Sequence, residues 1–188
     1  MDTLIDLFNS ILPISNDERQ LIKQHLKIDV LKKKERYCTE DKICKKLGFV
    51  TEGVLKVVRT NAKEEEYIPY FIDEGHFAVA LESFTNQTPS EEYIEALTDC
   101  KIVTISYSTL IILEEKVKNL SKIIAQLKET ALMQKDKLKS EMLVDDAETR
   151  YKKLIERKPT IIQRVSQNNI ALFLGITPYT LSRIRSKH

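Results

Sequence analysis

Residues Gln167 to Ile184 read QNNIALFLGITPYTLSRI, and this stretch encodes two short helices joined by a tight turn. Ser166 offers an N-cap oxygen for the first helix, and Val165 with Ile170 forms a hydrophobic staple around that cap. Gly175 ends it, because a sharp turn at this point needs a left-handed backbone that a side chain resists. Thr177 caps the second helix, Pro178 takes its first position where no amide donor is required, and Ile176 with Leu181 repeats the staple. Ala171, four residues before the glycine, is small enough to let the two helices cross closely. Ile170, Leu174, Ile176, Leu181 and Ile184 complete a miniature core. At about 100° per residue, turning Leu181 and Ile184 inward leaves Tyr179, Ser182, Arg183 and Ser186 on the outer face.

The charge around this stretch is uneven. From Arg157 to the C-terminus the basic residues are Arg157, Lys158, Arg164, Arg183, Arg185 and Lys187, with no Asp or Glu. The whole chain carries +2, so the 156 residues before that segment carry −4. A basic module on an acidic body suggests a polyanionic partner, and a two-helix unit with a polar outer face is the shape that enters a DNA major groove. The expected base-reading residues are Tyr179, Ser182 and Arg183, the arginine by a bidentate contact to guanine. Gln167, Thr177, Thr180, Arg185 and Lys187 are expected at phosphates, positioning a recognition helix that spans residues 178–187. The competing reading is a helical hairpin whose arginines are merely solvated.

Upstream, Asp145 is the expected cap of another helix, with Glu148 in the capping-box position and Lys158-Pro159 as its end. Before it, Leu120, Ile124, Leu127, Ala131, Gln134 and Leu138 recur at spacings of four and three. They predict a long amphipathic helix whose seam of Leu120, Ile124, Leu127, Ala131 and Leu138 meets either the protein's own core or a second copy. Leu143 to Asp145 is the expected hinge. From Ile28 to about Tyr107 the pattern turns to short β-branched and aromatic runs: Asp29–Lys33, Lys46–Thr51, Val54–Arg59, Glu66–Ile72, Tyr93–Ala96 and Lys101–Ser106. Glu52-Gly53 and Asn61-Ala62-Lys63 are read as hairpin turns, which implies a small antiparallel roll. Residues 3–27 read as two packing helices, the second capped by Asn16. The expected organisation is α+β: a β-roll domain over 1–118, a dimerisation helix over 119–143 and a helical DNA-binding domain over 144–188.

Several classes are disfavoured. The first residues lack a basic leader region, and uncharged runs such as Ile102–Leu113 are well short of the roughly 18 residues of a spanning helix, so a cytoplasmic protein without membrane partners is expected. Cys38, Cys44 and Cys100 are an odd number at no ligand spacing, and the three histidines are scattered, so neither a metal site nor a cofactor is expected. No convergent nucleophile, base and orienting group appears, nor a phosphate-cradling glycine loop, which argues against an enzyme.

This order of elements resembles the Crp/Fnr superfamily of bacterial transcription regulators over nearly the full chain. The most specific piece, Ile170 to Arg185, looks like the form common in Bacteroidetes regulators, and Ala147-Glu148-Thr149-Arg150-Tyr151 is similar to the family's helix leading into the DNA-binding domain. Phe49 to Leu55 resembles its central hairpin, and Glu74-Gly75-His76-Phe77 the strand end before its phosphate cassette. The resemblance implies a homodimer on pseudo-palindromic double-stranded DNA, with RNA polymerase and a small-molecule effector as further partners. The cassette itself departs from the cyclic-nucleotide pattern. Ala78 to Phe84 lacks the Gly-Glu pair, and Pro89-Ser90 stands where an arginine would meet the cyclic phosphate. Tight binding of cyclic AMP is therefore not expected. Glu82, Ser83 and Ser90 remain as candidates for an altered pocket, and a non-DNA adaptor using the roll is the alternative reading.

Overall fold

The computed structural model describes residues 1–186, so Lys187 lies outside the described residues. Two amphipathic helices, α1 (Asp2–Ile11) and α2 (Asn16–His25), open the chain and bury Ile5, Phe8 and Ile22. Ser15, not Asn16, caps α2. Its hydroxyl accepts from the Glu18 amide at 3.3 Å, and its own amide donates to the Glu18 carboxylate at 2.9 Å. An Asn16 cap would have placed Arg19 in the returning position, where no acceptor exists.

Nine strands follow, all paired antiparallel: β1 (Lys27–Leu31), β2 (Arg36–Cys38), β3 (Lys46–Glu52), β4 (Leu55–Thr60), β5 (Glu66–Tyr67), β6 (Phe71–Ile72), β7 (Phe77–Ala78), β8 (Glu92–Ala96) and β9 (Cys100–Ser106). One sheet runs β1-β9-β3-β7; the other runs β2-β8-β4-β5, with β6 also on β4. Between them lies an apolar core that includes Phe49, Val57, Ile94 and Ile102. Asn61–Lys63 does turn a hairpin, since β4 pairs with β5. The expected strand over 66–72 is broken because Pro69 has no amide for the ladder.

Gly53 is a correction. The strands it joins, β3 and β4, lie in opposite sheets, so the chain crosses there rather than folding back. Its φ is +104°, and a Cβ would sit 2.4 Å from Cys100 Sγ and 2.6 Å from the Asp99 carbonyl. Gly53→Ala is expected to cost at least about 1–3 kcal/mol of stability from the backbone alone. An unchanged urea midpoint would show that the crossing tolerates a side chain.

After β7 the chain forms α3 (Leu81–Asn86), and after β9 it forms α4 (Tyr107–Lys116). The long helix α5 (Leu120–Val144) has 25 residues, so it reaches about 37 Å. Four further helices follow among the described residues: α6 (Ala147–Arg157), α7 (Pro159–Arg164), α8 (Gln167–Leu174) and α9 (Pro178–Arg185). Asp146 caps α6 by accepting from the Thr149 amide at 2.8 Å. Asp145 is excluded from that role because its amide still closes α5 on the Glu141 carbonyl, and its carboxylate holds Lys153 at 2.6 Å. Among the described residues, no helix is long and apolar enough to cross a membrane.

The C-terminal helices do not hang free. Tyr151, Leu154, Ile161, Ile170, Phe173 and Leu181 share one buried cluster with Val54, Val58, Ile68, Phe71 and Leu97 of the roll. The Phe71 and Phe173 rings meet at 5.1 Å. This continuous second core gives the C-terminal unit a definite seat against the β-roll.

Candidate nucleic-acid interface

The α8–turn–α9 unit is built by local chemistry. Ser166 Oγ accepts from the Asn169 amide at 3.4 Å, and Thr177 Oγ1 from the Thr180 amide at 3.1 Å. Gly175 adopts φ 66° and ψ 33°, and its turn is closed by the Ile176 amide donating to the Ala171 carbonyl at 3.0 Å. Ile170, Ala171, Leu174, Leu181 and Ile184 are buried; Ile176 is half-buried beside them. Helical periodicity then leaves Tyr179, Ser182, Arg183 and Ser186 exposed on α9, with Tyr179 73% accessible. Gln167, Thr177, Thr180 and Arg185 are exposed around them.

The ion pairs divide the basic segment in two. Arg157 holds the Glu141 carboxylate by two contacts of 2.6 and 2.8 Å, Lys158 reaches Asp73 at 2.5 Å, and Arg164 grips Glu74 at 2.9 and 2.8 Å. Three of the six charges that made the segment look basic are therefore neutralised within the fold. Arg183 and Arg185 have no carboxylate within 4.0 Å among the described residues. The uncompensated positive charge is thus gathered on the exposed helix.

The contacts that Asp73, Glu74, Arg150 and Phe173 make between distant elements escaped sequence reasoning. Arg150 donates to the Met142 and Asp145 carbonyls at 3.3 and 2.6 Å and to the Leu174 carbonyl at 2.9 Å, joining the end of α5 to the end of α8. A signal for Phe173 was present, since it is a large apolar residue off the stripe that serves the α8–α9 core.

Burial alone would raise the Asp73 carboxyl, but hydrogen bonds from His76 and Lys158 outweigh it and hold the pKa at about 2. Because this value is depressed, the stabilisation is fully present above the unfolded pKa and is lost as pH falls from about 5 towards 2. Asp73→Asn is expected to lower stability at pH 7 by on the order of 2 kcal/mol. Its deficit in urea titrations should shrink as the pH is lowered towards 3, and a constant deficit would contradict the assignment.

Of the candidates for an altered pocket, Glu82, Ser83 and Ser90, the two serines have their hydroxyls engaged within the fold. Ser83 Oγ donates to the Thr88 carbonyl at 2.6 Å and accepts from the Cys44 amide at 2.9 Å; Ser90 Oγ donates to the Glu92 carbonyl at 2.7 Å. Both serines are buried and engaged with backbone, while Glu82 is exposed in the first turn of α3. A cleft of about 600 Å³, lined in part by Leu81 and Phe84 of α3, opens between β6–β7, α5 and the C-terminal helices.

The seam predicted on α5 faces inward. Leu120 and Ile124 are 1% and 4% exposed within the protein's own core and have no surface left for a partner. Leu127, Ala131 and Leu138 are half-buried and line the cleft. The N-terminal end of the seam is taken up where α5 packs on α1 and α4 and joins the first core. The opposite face instead carries Leu132, Met133 and Leu143, exposed at 55%, 67% and 78%.

Residues 28–115 match the family model of the cyclic nucleotide-binding domain. No curated protein matches the chain. Among solved structures, a putative Crp/Fnr-family transcriptional regulator from Eubacterium rectale is 16% identical, with 97% of this chain and 87% of that one covered at a TM-score of 0.75. FixK2 from Bradyrhizobium japonicum is 16% identical, covering 86% of this chain and 83% of that one at a TM-score of 0.73. The c-di-GMP-responsive global regulator CLP of Xanthomonas campestris is 17% identical, covering 92% and 91% at a TM-score of 0.70. At these identities the likeness is one of fold.

Proposed function

From a chain that has the fold of the Crp/Fnr regulators, with a cyclic nucleotide-binding-type domain over residues 28–115, we propose a homodimeric, sequence-reading DNA-binding transcription regulator. Helix α9 enters the major groove, with Arg183 on a guanine edge and Tyr179 and Ser182 on neighbouring bases. Gln167, Thr177, Thr180 and Arg185 hold phosphates, as does Lys187 beyond the described residues. The carrying observation is the division of charge: the other arginines of the C-terminal segment are paired or bound to carbonyls, whereas Arg183 and Arg185 stand unpaired on an exposed helix.

The three working parts in this reading are a roll over 1–118 that receives a signal, a linking helix over 119–143 and a DNA reader over 144–188. The dimer joins through the outward stripe of α5 around Leu132 rather than through the inward seam. RNA polymerase is the natural further contact of such a regulator. Cyclic AMP is not the signal, since Pro89 stands in the cassette and the nearby hydroxyls are engaged.

Selection of duplexes from a random pool, followed by fluorescence anisotropy over a range of salt, tests the reading. Preference for a pseudo-palindromic site with a steep salt dependence is expected. Weak, sequence-indifferent binding that Arg183→Ala leaves unchanged would overturn it.

A further inference from the structure

The cleft between β6–β7, α5 and the C-terminal helices has walls formed chiefly by apolar side chains, among them Phe71, Leu127, Leu138 and Phe173. Its volume of about 600 Å³ lies within the roughly 300–1,000 Å³ of small-molecule sites. Two residues lining it carry a buried polar atom without a hydrogen-bond partner, Tyr70 at its hydroxyl and Arg150 at Nε. The Tyr70 hydroxyl is buried and has no hydrogen-bond partner. The Lys135 ammonium lies over the Tyr70 ring at 4.5 Å, and no carboxylate is within 4.0 Å of it among the described residues.

The cleft's other cations are differently placed. Lys153, Arg157 and Lys158 hold carboxylates, and Arg150 spends its two terminal nitrogens on carbonyls, leaving only Nε without a partner. Lys128 and Lys137 also line the cleft, but neither stands against a buried unpartnered hydroxyl. The carboxylate of Glu92, near Lys135, is taken by Arg59 at 2.7 Å. Desolvation pushes the Lys135 pKa below its ordinary value, the signature of an ammonium that lacks a counter-charge. A half-buried cation beside an orphaned hydroxyl, in an apolar cleft, is complementary to one anionic head on an apolar body.

We propose that this cleft binds an amphiphilic carboxylate, such as a medium-chain fatty acid, its head between Lys135 and the Tyr70 hydroxyl and its chain against Leu127, Leu138, Phe71 and Phe173. One positive charge and one hydroxyl donor match a monoanion. The chain lies against the roll, the long helix and the C-terminal helices together, so occupancy bears on how the last is seated. The inference deepens the signal-receiving part of the proposed function and rests on that reading only for its link to DNA.

Isothermal titration calorimetry of the full protein with decanoate, in the absence of DNA, tests it, with 1-decanol as the uncharged control. Saturable 1:1 binding of decanoate is expected, weakened at least tenfold in Lys135→Met and several-fold in Tyr70→Phe, while 1-decanol binding stays within twofold across all three proteins. Circular dichroism melting confirms that both variants fold. Tyr70→Phe removes only an unsatisfied hydroxyl, so it remains informative if Lys135→Met proves unstable. No saturable binding, equal affinity for acid and alcohol, or indifference to both substitutions would overturn the proposal. So would decanoate affinity that falls as protein concentration rises, because a second copy would then occupy the cleft. Since no DNA is present, failure here is distinct from failure to bind an operator.

Discussion

Leu132→Asp is expected to convert the protein to a monomer and to weaken operator binding by roughly 10²- to 10⁴-fold, the effective-concentration advantage that a second linked reader confers. Leu132 is 55% exposed on the face of α5 that the roll does not cover. Ala125 lies seven residues before it and Leu143 eleven after, spacings close to two and three helical turns, so the three fall along one line of the helix. A carboxylate in the middle of that line would be desolvated against its own copy in a symmetric interface. Sedimentation velocity gives the oligomeric state and anisotropy gives the affinity. A dimer of unchanged strength would place the interface elsewhere, and the fold itself should survive because Leu132 contributes nothing to either buried core.

Arg183→Ala is expected to reduce affinity for the selected site by about 1–3 kcal/mol, on the order of 10- to 100-fold, and to relax preference at one base pair of each half-site. Arg183 is exposed, has no carboxylate to release, and occupies the same outward face as Tyr179 and Ser182. Arg185→Ala is the matched control. Acting at phosphate, it should weaken binding to all duplexes alike and reduce the salt slope by about one. If both variants lose affinity equally on specific and random DNA, α9 does not read bases.

Much of the fold was legible because its signals are local. The caps at Ser166 and Thr177, the left-handed Gly175 and the burial of Leu181 and Ile184 follow from backbone sterics and helical period within a few residues. The strand regions followed from β-branched runs, though β2 and β7 were missed because two or three residues cannot display an alternation. The Gly53 crossing was misread as a hairpin because a turn-like dipeptide looks the same whether the next strand pairs with the last one or crosses to the other sheet. At Ser83 and Ser90, residue type suggested pocket candidates, and only the tertiary structure shows that their hydroxyls are occupied by backbone.

The sequence by itself determined the paired helices, their turn and the outward set of Tyr179, Ser182 and Arg183, because each depends on the dihedral and capping preferences of near neighbours. Only the tertiary structure decided which face of α5 is free, which basic residues keep their charge, and where an open cleft lies. Those depend on contacts between residues as distant in the chain as Asp73 and Lys158, or Phe71 and Phe173. Periodicity reveals that a helix has an apolar face but not what covers it, and a count of charges does not reveal which are neutralised by partners ninety residues away, as Arg164 is by Glu74.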